Sequence, residues 1–290
     1  MDTTELLRKV RKLEIKTKGL TRQMFSGEYH SAFKGRGMSF SEVRDYRYGD
    51  DVRNIDWNVT ARTGDPHIKI FEEERELTVM LVMDMSGSSF FGTGTRFRRE
   101  LMTEMAAVIA FSAISNNDKV GALFFSGRVE KFIPPKKGRK HVLTIIRELI
   151  DFTPSDTGTN IQDALIYLTN LEKKRSIAFL MSDFQATGYE QALVVAGRKH
   201  DIVGIRVQDE REATLPDIGL LRVRDAETGR DILLDTGDIK TRLAYSSRYK
   251  KTVEEFDKVF AHARCDTISL GTEEDYIRAL HLFFRKRAKR

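Results

Sequence analysis

The stretch 79–89, "VMLVMDMSGSS", runs through unbroken apolar residues to Asp84 and then sets Ser86 and Ser88 around a glycine. A strand that is apolar at every position is buried on both faces. A carboxylate at the end of such a strand, followed by hydroxyls at alternate positions, needs a partner that water alone does not provide. A divalent metal ion answers that requirement, and the functional reading grows from it.

Outward from this strand (77–84), apolar runs and amphipathic segments alternate. A helix over 97–115 carries Leu101, Met105, Val108 and Ile109 at helical spacing. A strand at 120–126 precedes the Gly127 turn, with a short edge strand at 128–134. Helices follow at 139–152 and 160–174, a strand at 176–183, a helix at 189–200 and a strand at 201–207. Late in the chain "DTISL" (266–270) is a strand between two long helical patterns. Apolar strands separated by helices predict an α/β fold with a parallel sheet covered on both faces. Two segments stand outside this alternation. Residues 1–76 open with a helical pattern and turn polar and Gly-rich, and residues 219–235 alternate about "AETGR" as an inserted β-hairpin. The expected division is an amino-terminal extension (1–76) and a sheet domain (77–290).

In a doubly wound sheet, ligands sit beyond the carboxyl ends of the strands where strand order reverses. The strands at 77–84 and 176–183 both end on an aspartate, Asp84 and Asp183, and "DTGTN" (156–160) brings Thr159 to the start of a helix. Hydroxyls of Ser86, Ser88 and Thr159 can then converge with the two carboxylates. Such an oxygen set suits Mg²⁺, or Mn²⁺, better than the larger Ca²⁺. These loops contain no His or Cys, which disfavours zinc. Each residue also has a structural reading: Asp84, Ser86 and Ser88 as helix caps, Thr159 or Asn160 as the cap of the next helix, and Asp183 as the partner of an arginine.

At these positions the sequence resembles the von Willebrand factor A domain and its metal-ion-dependent adhesion site: D-x-S-x-S at Asp84, Ser86 and Ser88, the threonine at Thr159, and the aspartate at Asp183. The resemblance implies a doubly wound, mostly parallel six-stranded sheet, bound Mg²⁺ or Mn²⁺, and capture of a partner's acidic side chain without catalysis.

A second block, residues 35–76, gathers Arg44, Tyr46, Asp50, Arg53, Asp56, the single tryptophan Trp57 and Arg62. Charges so close to one tryptophan suggest a knot of ion pairs over an aromatic anchor, with Asp50 or Asp56 accepting a bidentate arginine. The block either locks the extension onto the sheet domain or docks a partner. Its pattern, R-x-Y-x-x-G-D-x-x-R-x-I-D-W-x-x-x-A-R, is similar to that of the bacterial family called domain of unknown function 58. That resemblance implies association with MoxR-type AAA+ ATPases as an adaptor or chaperone-like partner, or with a client protein that donates a carboxylate. Many members carry amino-terminal membrane spans, for which this sequence shows no pattern.

The remaining composition sets bounds. The 290 residues are 40% hydrophobic and 32% charged, as in globular proteins. The start is polar and basic, without the apolar core of a signal peptide, and no run of about 18 apolar residues occurs. One cysteine, Cys265, cannot form an intrachain disulfide, so a cytoplasmic setting is expected. The net charge of +6 is concentrated at the two ends. These read as solvated helix faces, with contacts to nucleic acid or an anionic membrane as the rival reading. A phosphatase using Asp84 is the enzymatic rival, but such enzymes need a second carboxylate where Ser86 stands. No small-molecule substrate is therefore expected.

Overall fold

The computed structural model describes residues 38–73, 76–90, 97–224 and 231–289, together with positions 8, 11, 29, 32 and 33. The helical pattern at the amino terminus and the turn "AETGR" of the inserted hairpin fall largely outside these residues.

The polar block 38–73 is more regular than its composition suggests. Strand β1 (Met38–Asp45) pairs antiparallel with β2 (His67–Glu73), with a bulge between Phe40 and Glu42. Between them lies helix α1 (Trp57–Thr63), started by the Asp56 carboxylate, which accepts from the backbone of Asn58 and Val59, and stopped by Gly64 at φ 86°. An irregular extension is thus corrected to a small two-stranded unit. The alternation in "MSFSEVRD" was masked by the polar loop that separates the two strands.

The main sheet follows. In chain order the elements are β3 (Thr78–Asp84), α2 (Arg98–Ser115), β4 (Lys119–Phe125), β5 (Val129–Lys136), α3 (Arg139–Asp151) and α4 (Ile161–Leu171). They continue with β6 (Ile177–Ser182), α5 (Glu190–Lys199), β7 (Asp201–Gln208), the single-turn α6 (Glu210–Ala213) and the hairpin β8 (Leu220–Arg224) and β9 (Asp231–Asp235). Helix α7 (Ile239–His262), β10 (Asp266–Gly271) and α8 (Tyr276–Ala288) complete the chain. The sheet order is β10-β7-β6-β3-β4-β5, parallel throughout except for the edge strand β5. Order therefore reverses between β3 and β6, where a doubly wound sheet opens a crevice.

Both faces are covered, which is why the strands read as apolar throughout. Val79, Leu81 and Met83 face a core shared with α2, α3 and α8, to which Tyr29 and Phe33 of the amino-terminal segment also belong. Met80 and Val82 face the other core, under α4, α5 and α7. Gly204 of β7 permits the close approach of α7, since a Cβ there would lie 2.3 Å from the Phe260 ring. The helix is long. At about 1.5 Å per residue its 24 residues outrun the sheet. Phe260 sits against the middle of β7, and Tyr249 donates to Gln208 at the strand's carboxyl end. The first ten residues of α7 therefore project beyond the sheet on the side of the crevice.

At the opposite edge Arg287 is buried, although it belongs to the basic end expected to be solvated. It donates to Asp201 and, at 2.8 Å, to Asp266, the first residues of β7 and β10, and it lies 4.5 Å from the centre of the Phe33 ring. Burial and then the charges of Asp201 and Asp266 push the nearby Cys265 thiol up to about 12, so it stays protonated at neutral pH.

Candidate metal centre

Three loops meet at the carboxyl ends of β3 and β6. Asp84, the last residue of β3, is buried; its Oδ1 accepts from the Ser86 backbone at 2.9 Å and its Oδ2 from the Ser182 hydroxyl at 2.5 Å. The first bond makes the tight turn into the 3₁₀ segment Gly87–Phe90, and the second ties the ends of β3 and β6 together. The Gly87 backbone donates to Thr157 O at 2.9 Å, which joins the first loop to the one carrying Thr159. That second loop packs closely: a Cβ on Gly127, in the β4–β5 turn, would lie 2.5 Å from the Asp156 carboxylate.

The Ser86 and Ser88 hydroxyl oxygens are 3.1 Å apart. Two adjacent oxygens of an octahedron with metal–oxygen distances near 2.1 Å stand about 3 Å apart, so the pair has the spacing of neighbouring Mg²⁺ ligands. Asp183 is buried beside them, its Oδ1 accepting from the Gln185 backbone at 3.1 Å and its Oδ2 from Arg98 at 2.7 Å.

Arg98, at the start of α2, was not singled out by the sequence. Almost fully buried, it donates to Asp183, to Glu212 of α6 and, at 2.8 Å, to Ser88 O. Burial opposes its charge, but Asp183 and Glu212 outweigh burial and hold its pKa above the ordinary value. Three carboxylates, Asp84, Asp183 and Glu212, thus lie around a single guanidinium. When all are ionised the cluster carries two uncompensated negative charges. Burial, and next the charge of Asp183, raise the Asp84 pKa from 3.8 to about 6, against hydrogen bonds from Ser182 and Ser86. The donor set fits a small dication: a charge deficit of two, paired hydroxyls and oxygen atoms only.

Of the five predicted ligands, Asp84, Ser86, Ser88 and Asp183 are joined by this bonding network. Thr159 lies half-buried in the loop fastened to Gly87, and the cap of α4 is supplied by Asn160, which accepts from the Asp163 backbone. Asp183 makes the arginine pair that was its structural alternative. Among the described residues no group of three or more His, Cys, Asp or Glu side chains is placed to hold a metal, so this centre depends on its hydroxyls. Sequence reasoning missed Ser182, Arg98 and Glu212. Ser182 was legible beside Asp183 in "MSD", whereas Arg98 and Glu212 reach the cleft from helix starts far away in sequence.

The amino-terminal block is arranged differently. Arg44 makes the expected bidentate bond to Asp50, at 2.9 and 2.7 Å, and holds the Asp50 pKa below its ordinary value. Asp56 caps α1 and lies 3.5 Å from Lys69. Trp57 is 69% exposed, so the aromatic anchor under an ion-pair knot is corrected. As the first residue of a two-turn helix its ring faces solvent. Arg53 and Arg62 are likewise exposed, and Tyr46 is half-buried.

The sheet order and the switch-point cleft define a von Willebrand factor A-like domain. The model of the family described as "Protein of unknown function DUF58" matches residues 42–255, and the chain belongs to that family. "Uncharacterized protein Rv1480" of Mycobacterium tuberculosis (strain ATCC 25618 / H37Rv) is 30% identical over 296 residues, covering all of this chain and 92% of that protein. Among solved structures, the conserved hypothetical protein BatB from Bacteroides thetaiotaomicron is similar at a TM-score of 0.49 and 17% identity, over 74% of this chain and all of that one. The SpRpn10 VWA domain is similar at 0.38 and 10%, over 71% and 93%. No helix among the described residues is long and apolar enough to cross a membrane.

Proposed function

We propose that this chain is a non-catalytic, metal-dependent protein-binding module of the cytoplasm, an adaptor or chaperone-like partner of a MoxR-type AAA+ ATPase. The reading is carried by the buried cluster of Asp84, Asp183 and Glu212 around one arginine, whose deficit of two charges faces the Ser86–Ser88 hydroxyl pair. Asp84, Ser86, Ser88 and Thr159 would hold Mg²⁺ or Mn²⁺, with Asp183 oriented behind them by Arg98. When bound, the cation supplies a Lewis-acidic point at which a carboxylate of the ATPase or of a client protein can be held.

The residues around Asp84 favour binding over chemistry. Its two oxygens each accept one hydrogen bond, from the Ser86 N–H and the Ser182 hydroxyl, which fix the carboxylate's orientation and leave a lone pair for a cation. A hydroxyl, not a second carboxylate, stands two residues on. No general acid is offered to a leaving group from that position.

The test is capture of a purified MoxR-type AAA+ ATPase from the same organism by immobilised wild type and Asp84→Ala, in Mg²⁺ and in EDTA. Capture by wild type in Mg²⁺ alone is expected. Equal capture by both proteins, or in both buffers, would contradict the reading.

A further inference from the structure

Of the fourteen large apolar side chains exposed among the described residues, six fall in one short stretch of the chain: Ile218, Leu220, Ile232, Leu233, Ile239 and Leu243, in the β8–β9 hairpin, the residues just before it and the first turns of α7. Four of them, Leu220, Leu233, Ile239 and Leu243, are between 62% and 69% exposed. Leu220 and Leu233 share one face of the hairpin, by the pairing of Leu220 with Asp235 and of Arg222 with Leu233. Ile239 and Leu243, four residues apart, share one face of the helix. An isolated two-stranded hairpin is marginal in water and is normally stabilised by packing, and soluble proteins seldom leave such a cluster uncovered without an interaction to serve.

This surface is built as a unit and adjoins the metal cleft. Arg242 of α7 fastens the helix to the base of the hairpin, pairing with Asp217 at 3.1 Å and donating to Gly237 O at 3.0 Å. Ser246 donates to Ala213 O at 2.9 Å, and Tyr245 to Arg211 O at 3.4 Å, so the projecting turns of α7 rest on α6. Glu212 of that same α6 is bound to Arg98, the partner of Asp183. The helical half of this surface is also charged in one sense. From Ile239 to Lys251 the helix carries Lys240, Arg242, Arg248, Lys250 and Lys251 and no acidic residue. Apart from Arg242, these cations form no ion pair among the described residues.

We propose that the hairpin and the projecting half of α7 form a docking surface for an acidic amphipathic segment of a partner protein. Apolar side chains of the segment pack on Leu220, Leu233, Ile239 and Leu243, and its carboxylates face Lys240, Lys250 and Lys251. The charge complementarity selects an acidic partner. The apolar area is divided between a helix and a hairpin, a shape that suits a protein segment better than a flat bilayer, which takes a continuous apolar helix face. That the segment is led toward the metal cleft rests on the function proposed above; the docking surface does not.

The probe is a short fluorescein-labelled peptide with leucines at helical spacing and glutamates elsewhere, followed by anisotropy, with the glutamine counterpart as control. Saturable binding of the glutamate peptide by the full chain is expected, weakened about tenfold or more by Leu243→Asp or by Lys250→Glu with Lys251→Glu. These side chains are exposed, so thermal midpoints should stay unchanged. No binding by wild type, equal binding of the glutamine peptide, or equal binding by the variants would overturn the proposal. Anionic phosphatidylglycerol vesicles that bind through the same residues without competition from the peptide would also overturn it, in favour of a membrane surface. Asp84→Ala separates the two readings. It should leave peptide affinity intact while the surface variants lose it; if it also captures the ATPase as the wild type does, the docking surface stands and the metal-dependent function fails.

Discussion

At the amino-terminal edge of the sheet, Arg287 pairs with Asp201 and Asp266 beneath Phe33; at the carboxyl edge, Arg98 pairs with Asp183 and Glu212 while Asp84 lies against the same cluster. Both arginines are buried and both hold two carboxylates, yet their surroundings differ. Asp266 keeps 24% of its side chain in water, so solvent shares the excess charge at the first edge. At the second edge three carboxylates are nearly enclosed, and the pKa of Asp84 is raised to about 6. One cluster is a clamp that protein and water complete between them. The other is short of positive charge in a place that water scarcely reaches, and that difference is the physical basis for placing a cation there.

Truncating each arginine should separate the two. Arg98→Met and Arg287→Met each strip a buried ion-pair cluster of its cation, and each should cost about 3–5 kcal/mol, read from urea midpoints in EDTA. Mg²⁺ should restore a substantial part of the loss for Arg98→Met and none for Arg287→Met. Equal rescue of both, or of neither, would erase the contrast.

A pH titration sharpens the same comparison. Asp84 has a higher pKa folded than unfolded, so between pH 3.8 and about 6 the folded chain holds a proton that the unfolded chain has released. Stability in EDTA should therefore fall as the pH rises through that window, by up to ~3 kcal/mol from this group. Asp84→Asn should flatten the dependence, and Mg²⁺ should oppose it.

Packing away from either cluster gives a control. Gly204→Ala drives a methyl into the Phe260 ring and should cost about 1–3 kcal/mol, with Mg²⁺ affinity unchanged. The smallest effect belongs to Trp57, whose ring is largely in solvent: Trp57→Ala should shift stability by no more than about 0.5 kcal/mol. A large loss would restore the aromatic anchor.

The contrast also explains what could be read from the sequence. The strands of the sheet were legible because burial on both faces leaves uninterrupted apolar runs such as 79–83, and Asp84, Ser86 and Ser88 were legible because they follow one such run directly. Arg98 and Glu212 were not, because a buried charge at a helix start is indistinguishable in sequence from the half-buried Arg99 or the exposed Arg211 beside it until the fold brings its partners together. Trp57 misled for the converse reason: a lone tryptophan among charges suggests an anchor, but its helix is too short to give the ring a core. The exposed apolar cluster of the hairpin and α7 escaped notice because its alternation matched an ordinary hairpin with one covered face.

The central claim is that Asp84 and its hydroxyl neighbours take up a dication. Titration of Mn²⁺ into the protein, followed by the loss of the free-ion electron paramagnetic resonance signal, measures this directly. The account predicts one saturable site in the wild type, displaced by Mg²⁺ and abolished by Asp84→Ala. A wild type that leaves the free Mn²⁺ signal undiminished, or an Asp84→Ala protein that binds as the wild type does, would contradict it.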